Sequence, residues 1–263
     1  MDNIVVFKVG GALLDNDLAA LSLLNALKTI QQSALVVLVH GGGNSVERLL
    51  SQLNIPSEKR NGLRISPPEH MPYVTGALAG TTNKHLCALA YSQQINSIGL
   101  TLFDGDSVTC KHTDPELGSV GTPKANNSAL LRSLLASGQL PIISSIGCSK
   151  NGELLNVNAD QAATAIAQLL SAELYLLSDV PGVLDANKSL LPMLDKAQIE
   201  QLIGSGVIRD GMLVKVAAAQ LAAESLHKPV IIGSWAETEA LIESINSDSH
   251  PAFGTHVLPT SQD

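Results

Sequence analysis

The chain has 263 residues, of which 45% are hydrophobic, 15% charged and only 3% aromatic, with a formal net charge of -8. That length accommodates one large α/β domain or two small lobes sharing a sheet, packed around an aliphatic core. The acidic balance argues against nucleic acid or an anionic membrane surface as the main partner, because both require basic patches that release counterions.

Short β-rich runs alternate with helical patterns from the start. A strand over Ile4 to Val9 precedes a helix near Leu18 to Ile30, a strand over Ala34 to Val39 and a helix from about Ser45 to Leu53. A helix near Pro72 to Ser92, a strand over Ser97 to Leu102, a helix around Ser128 to Ala136 and a strand over Leu140 to Ser145 continue what reads as a mostly parallel sheet. Between Ser107 and Lys124 the pattern is broken by Thr, Gly, Pro and charged residues, which predicts a hairpin excursion at a sheet edge. A helix runs from Asn158 to about Leu170, followed by a strand over Glu173 to Leu177 and a turn-rich segment to Pro192. Helices near Lys196 to Ile203 and Met212 to Ser225, and closing strands over Pro229 to Ile232 and Thr255 to Leu258, complete the chain. With no linker, low-complexity run or repeat, residues 1–170 and 171–263 read as two lobes of one folding unit.

Cys87, Cys110 and Cys148 are far apart and form no CxxC, and the seven histidines form no HExxH, so neither a disulfide framework nor a zinc site is indicated. The apolar run from Leu35 to Val39 is too short to span a bilayer, and Met1 to Asn3 lead into the first strand without a signal-peptide pattern. A cytoplasmic protein with no membrane partner is expected.

Four segments could carry chemistry. Lys8-Val9-Gly10-Gly11 ends the first strand, where parallel sheets form ligand crevices; it fits a phosphate site or an ordinary glycine turn beside a snorkelling lysine. His40-Gly41-Gly42-Gly43 again joins a strand to a helix, and three successive glycines, each costing about 0.5–1 kcal/mol relative to alanine, favour an anion-binding nest over a plain turn. It is neither GxxxxGK[ST] nor GxGxxG. Asn156 to Asp160 open a helix for which Asn158 is a plausible N-cap, leaving Asp160 either to complement the dipole or to position lysines. In Asp210 to Lys215, Asp210 could cap a helix while Lys215 sits near the end where a cation is least favoured, either as a solvated surface residue or for function.

Read in order, KVGG, VHGGG, NGLR (Asn61 to Arg64), LNVNADQAA, LLSDVPGVLD and DGMLVKV resemble the acetylglutamate kinase branch of the amino-acid kinase family, over nearly the whole chain. KVGG and SDVPG occur across relatives acting on aspartate, glutamate, carbamate and uridylate; HGGG with NGLR and NVNAD marks the branch. The resemblance implies an α/β fold, an open three-layer αβα sandwich with a mostly parallel central sheet. It places N-acetyl-L-glutamate in lobe 1–170 and ATP in lobe 171–263, with Mg2+ carried by ATP and no metal ligands from the protein. Lys8 and Lys215 then stabilise the transferring phosphoryl group and Asp160 organises them, while Gly10, Gly11, Gly42 and Gly43 donate backbone N–H groups to phosphates and reacting carboxylate. Arg64 holds the α-carboxylate and Asn156 is a second substrate ligand. Asp179, Val180, Pro181, Gly182, Val183 and Leu184, with Val207, Ile208 and Arg209, match the nucleotide-binding segments.

The implied reaction, phosphorylation of the side-chain carboxylate in arginine biosynthesis, needs no general base, because an acid of pKa about 4.3 is already ionised at neutral pH. Positioning and neutralisation of charge carry the catalysis. A different kinase of the family would need another acceptor segment, a silent binding regulator would have lost Lys8, Asp160 or Lys215, and a Rossmann redox protein would need its glycine fingerprint. Arginine-inhibited relatives, as the resemblance implies, carry an extra N-terminal helix that interlaces dimers into a hexamer. Only three residues precede the first strand here, so the expectation is an isologous homodimer insensitive to arginine.

Overall fold

The computed structural model describes residues 3–60, 62–246 and 253–260, so Asn61 of the NGLR segment lies outside the described residues. Along Ile4–Val9 the side chains alternate between two cores. Val5, Phe7 and Val9 pack with Leu23, Leu24 and Leu27 of helix Asp17–Ile30. Ile4 and Val6 pack with Ala162, Ala163 and Ile166 of helix Ala159–Leu170 and with Val216 and Ala219 of helix Asp210–Leu226. A strand apolar on both sides is stable only between helical layers, so this pattern produces the expected three-layer sandwich.

The central sheet has eight strands, in the order Met193–Leu194, Thr255–Val257, Val230–Ser234, Glu173–Ser178, Ile4–Val9, Leu35–His40, Leu140–Ser144 and Ser97–Leu100. The six from Val230–Ser234 to Ser97–Leu100 are parallel, and Thr255–Val257 runs antiparallel to its neighbour Val230–Ser234. Residues on both sides of position 170 therefore share one sheet.

The segment 107–124 forms the expected antiparallel hairpin, Val108–His112 with Val120–Ala125, but not on an edge of the central sheet. It joins Ile146–Cys148 and Leu154–Val157 in a separate four-stranded sheet. The chain leaves the central sheet at Ser144 and, with Ser145 between, immediately enters the second, so one apolar run serves two sheets. The helical region after Pro72 also differs: Met71–Thr75 and Asn83–Ser92 are α-helical, and Gly76–Thr82 between them is a π-helical turn. Helix Thr238–Asn246 and strand Met193–Leu194 were not anticipated. Asp210 does not cap its helix; it occupies the first turn at φ 50°, and Arg209 in the cap position makes no side-chain bond to the helix.

The second parallel strand ends in a fully buried polar group. His40 is 0% exposed, its Nδ1 lies 2.7 Å from the Gly41 carbonyl oxygen, and Asn83 Nδ2 lies 3.0 Å from its Nε2 and donates to the Ile142 carbonyl at 2.8 Å. With the amide donating to Nε2, the imidazole proton resides on Nδ1 and points to Gly41, so the neutral ring satisfies both nitrogens. Burial pushes the His40 pKa down to about 4. The unfolded chain takes up this proton near pH 6.5 whereas the folded chain resists it until about pH 4. Stability is thus full above 6.5 and falls by about 3 kcal/mol as the pH drops through that window. Denaturant unfolding at pH 7 and pH 4.5 is expected to show this loss in the natural protein and a clearly smaller loss in His40→Gln; equal losses would contradict it.

Candidate active site

In a parallel sheet the C-terminal strand ends share one edge, and here Gly10, Gly41, Ser145 and Asp179 follow those ends. Lys8 continues the Ile4–Val6 face, beneath the start of helix Ala159–Leu170. Asn158 caps that helix, its side-chain oxygen accepting from the N–H groups of Asp160 and Gln161. Because Asn158 does the capping, the Asp160 carboxylate is released to reach Lys8 Nζ at 2.8 Å, with both side chains largely covered.

Around this pair lies a cavity of about 230 Å³ lined by Gly10, Gly11, Gly41, Gly42 and Gly43 together with Arg64, Asn156 and Asn158. Gly42 has φ 145°, and a Cβ there would stand 2.7 Å from Leu78 Cδ2 of the π-helical turn, so only glycine brings the chain this close. Helix Gly43–Gln52 begins at this point without a side-chain cap, leaving its first N–H groups and the positive end of its dipole for an anion.

Arg64 is 8% exposed and held on three sides. Its Nη1 donates to Glu47 Oε2 at 2.7 Å and to Ser57 Oγ, and its Nη2 donates to the Gly43 carbonyl at 3.0 Å. The hydrogen bond from Arg64 holds the Glu47 carboxyl below its usual range. Lys59, directly opposite Arg64 in the hairpin of Lys59–Arg60 with Leu63–Arg64, also lines the cavity. Among the ionisable lining residues three are cationic, Lys8, Lys59 and Arg64, and one is acidic, Asp160. A protein of net charge -8 thus concentrates positive charge at this edge.

Lys215 and the segment Asp179 to Leu184 do not line this cavity. Lys215 Nζ lies 3.3 Å from Asp179 Oδ1, so Asp160 meets one of the two lysines and Asp179 the other. Asp179 and Arg209 are exposed and Val180, Pro181, Leu184 and Val207 partly so, whereas Val183 and Ile208 bury their side chains in the core at 1% and 2% exposure. Gly182 is buried against Thr255, whose hydroxyl accepts from the Val183 N–H at 2.8 Å. Sequence reasoning missed Lys59, Ser145, Val120 and Leu78 in the lining, and Glu47 and Ser57 around Arg64. Of these only Lys59, in the basic run before NGLR, carried a readable signal.

The profile of the amino acid kinase family matches residues 3–234. An acetylglutamate kinase of Pasteurella multocida is 52% identical over 257 residues, covering 97% of this chain and 99% of that protein. One of Aeromonas salmonicida is 48% identical over 255 residues, 96% and 97% of the two chains. An N-acetylglutamate synthase from Neisseria gonorrhoeae, solved with coenzyme A and N-acetyl-glutamate, superposes with a TM-score of 0.78 at 22% identity, over 99% of this chain and 60% of that one, a likeness of fold. The cavity at the parallel strand ends, the continuous match of profile and relatives, and the shared architecture together make this chain a member of the amino acid kinase family.

Proposed function

We propose that this chain transfers the γ-phosphoryl group of ATP to the side-chain carboxylate of N-acetyl-L-glutamate, giving N-acetylglutamyl 5-phosphate and ADP in arginine biosynthesis. The observation that carries the reading is the convergence of Lys8, the glycine loops, Arg64 and Asn156 on one small cavity, in a chain half identical to proteins named acetylglutamate kinase. Residues 1–170 hold the acceptor and 171–263 the nucleotide. The acceptor is a dianion, and the cavity answers it with the Arg64 guanidinium, Lys8 and the glycine loops in its lining.

The attacking carboxylate is ionised at neutral pH, so no residue need remove a proton. Lys8 and the N–H groups of the glycine loops stabilise charge on the transferring phosphoryl oxygens, and Asp160 fixes the ammonium where that charge develops. Lys215, held on Asp179 in this structure, neutralises the nucleotide side once ATP draws the two halves of the site together. Magnesium enters as part of the Mg–ATP substrate. The proposal includes a cytoplasmic homodimer. Free cysteines fit a reducing compartment, and edge strand Ser97–Leu100, near Tyr91 at 83% exposure, offers a surface for a second copy. Among the described residues no helix is long and apolar enough to cross a membrane.

A coupled ADP-release assay with acetylglutamate, glutamate and aspartate offered separately tests the reading; turnover is expected with acetylglutamate only. Lys8→Ala and Lys215→Ala are each expected to lower kcat roughly a hundredfold, about 3 kcal/mol, with a smaller change in KM for acetylglutamate; an unaltered kcat in both variants rules out their role. Arg64→Lys keeps the charge but loses the planar fork that holds Glu47, Ser57 and the Gly43 carbonyl together. Its KM for acetylglutamate should rise roughly tenfold while that for ATP stays put, and equal weakening of both substrates would place Arg64 outside the acceptor site.

A further inference from the structure

Ser66 does not itself line the cavity, yet its hydroxyl links the Asn156 side chain to the Arg64 backbone, the two residues assigned to the acceptor. It is 0% exposed. Its backbone N–H donates to the Leu117 carbonyl at 2.9 Å and its carbonyl accepts from the Ser119 N–H at 2.7 Å, which fixes it between the Lys59–Arg64 hairpin and the second sheet. Its hydroxyl donates to the Arg64 carbonyl at 3.0 Å. A serine hydroxyl has a single proton, so toward any other neighbour it acts only as an acceptor. The Asn156 side chain lies 3.0 Å from Ser66 Oγ and must therefore present its NH2 group to it. Asn156 is fixed at the backbone as well, through its N–H to the Ser119 carbonyl at 2.8 Å and its pairing with Val120 and Ile146.

Fixing the NH2 group fixes the other end of the amide. Asn156 lines the cavity, and among the described residues no side chain donates to its Oδ1. We infer that Ser66 is a positioning residue that locks the Asn156 amide with its carbonyl oxygen toward the acceptor, and thereby makes the site select for an N–H group on the acceptor's α-nitrogen. The inference rests on the proposed substrate. Acetylglutamate carries two carboxylates and an acetyl carbonyl, all acceptors, and one donor, the acetamido N–H. A fixed carbonyl oxygen can pair with that group and no other.

The test compares acetylglutamate with its ester analogue, 2-acetoxyglutarate, in which oxygen replaces the N–H. In the natural protein the ester sets two acceptors against each other, and kcat/KM is expected to fall roughly a hundredfold or more. In Ser66→Ala the amide is free to turn its NH2 toward the ester, so the preference should shrink to roughly tenfold or less, while Ser66→Thr, which keeps the hydroxyl, should retain it. A general loosening of the fold would slow both substrates alike and leave the ratio unchanged. An unchanged ratio in Ser66→Ala overturns the inference, as does a natural protein that accepts the ester as readily as the amide, a measurement that does not depend on the variant folding. No ADP release from the natural protein with acetylglutamate would instead remove the proposed substrate, and this selection with it.

Discussion

The site depends on the common direction of six strands. Because Ile4–Val9, Leu35–His40, Leu140–Ser144 and Glu173–Ser178 are parallel, their C-terminal ends open on one edge, and the loops leaving them face one another. Hydrogen bonds carry this proximity further. The Gly41 N–H donates to the Val9 carbonyl and the Ser145 N–H to the His40 carbonyl, while the Val157 N–H donates to the Ser145 carbonyl. The first glycine loop, the second glycine loop and the asparagine-bearing strand are thus tied in sequence, although they come from distant parts of the chain.

Upon that edge the protein imposes a charge distribution opposite to its net charge. Two anionic substrates repel each other, and bringing them into contact requires cations and oriented N–H groups that need not reorganise during the reaction. The local acids are used to hold cations: Asp160 holds Lys8, Glu47 holds Arg64, and Asp179 holds Lys215. Each pair restrains a flexible cationic side chain. The buried, neutral His40 contributes no charge here; it supports the glycine loop from below through the Gly41 carbonyl.

Periodicity and glycine spacing made much of this legible. Ile4–Val9 was delimited to the residue, because an apolar run ending in Lys-Val-Gly-Gly has one plausible boundary, and the Asn158 cap followed from residue type. The second sheet was hidden because the strand expected over Leu140 to Ser145 stops where the chain changes sheets, and the short strands Ile146–Cys148 and Leu154–Val157 that follow were not read as strands. Ser66 and Glu47 were invisible for a different reason: serines and glutamates are everywhere in soluble chains, and only contact with Asn156 or Arg64 distinguishes these two. The partner of Lys215 was unreadable too, since pairing with Asp179 depends on where helix Asp210–Leu226 meets the end of strand Glu173–Ser178.

The π-helical turn at Gly76–Thr82 sets a limit on how this sequence can vary in length. Leu78 and Thr82 lie against Gly42, and Asn83, the next residue, reaches His40 and the Ile142 carbonyl. Each residue of an α-helix advances about 100° around the axis, so deleting one residue from the wide turn would regularise the helix while swinging Asn83 off His40. Inserting one would rotate it the other way. Lineages descending from this chain can exchange side chains across Gly76 to Asn83, but gaps there should be purged, and length polymorphism should collect instead in connections such as Ala186 to Ser189, whose side chains are all exposed.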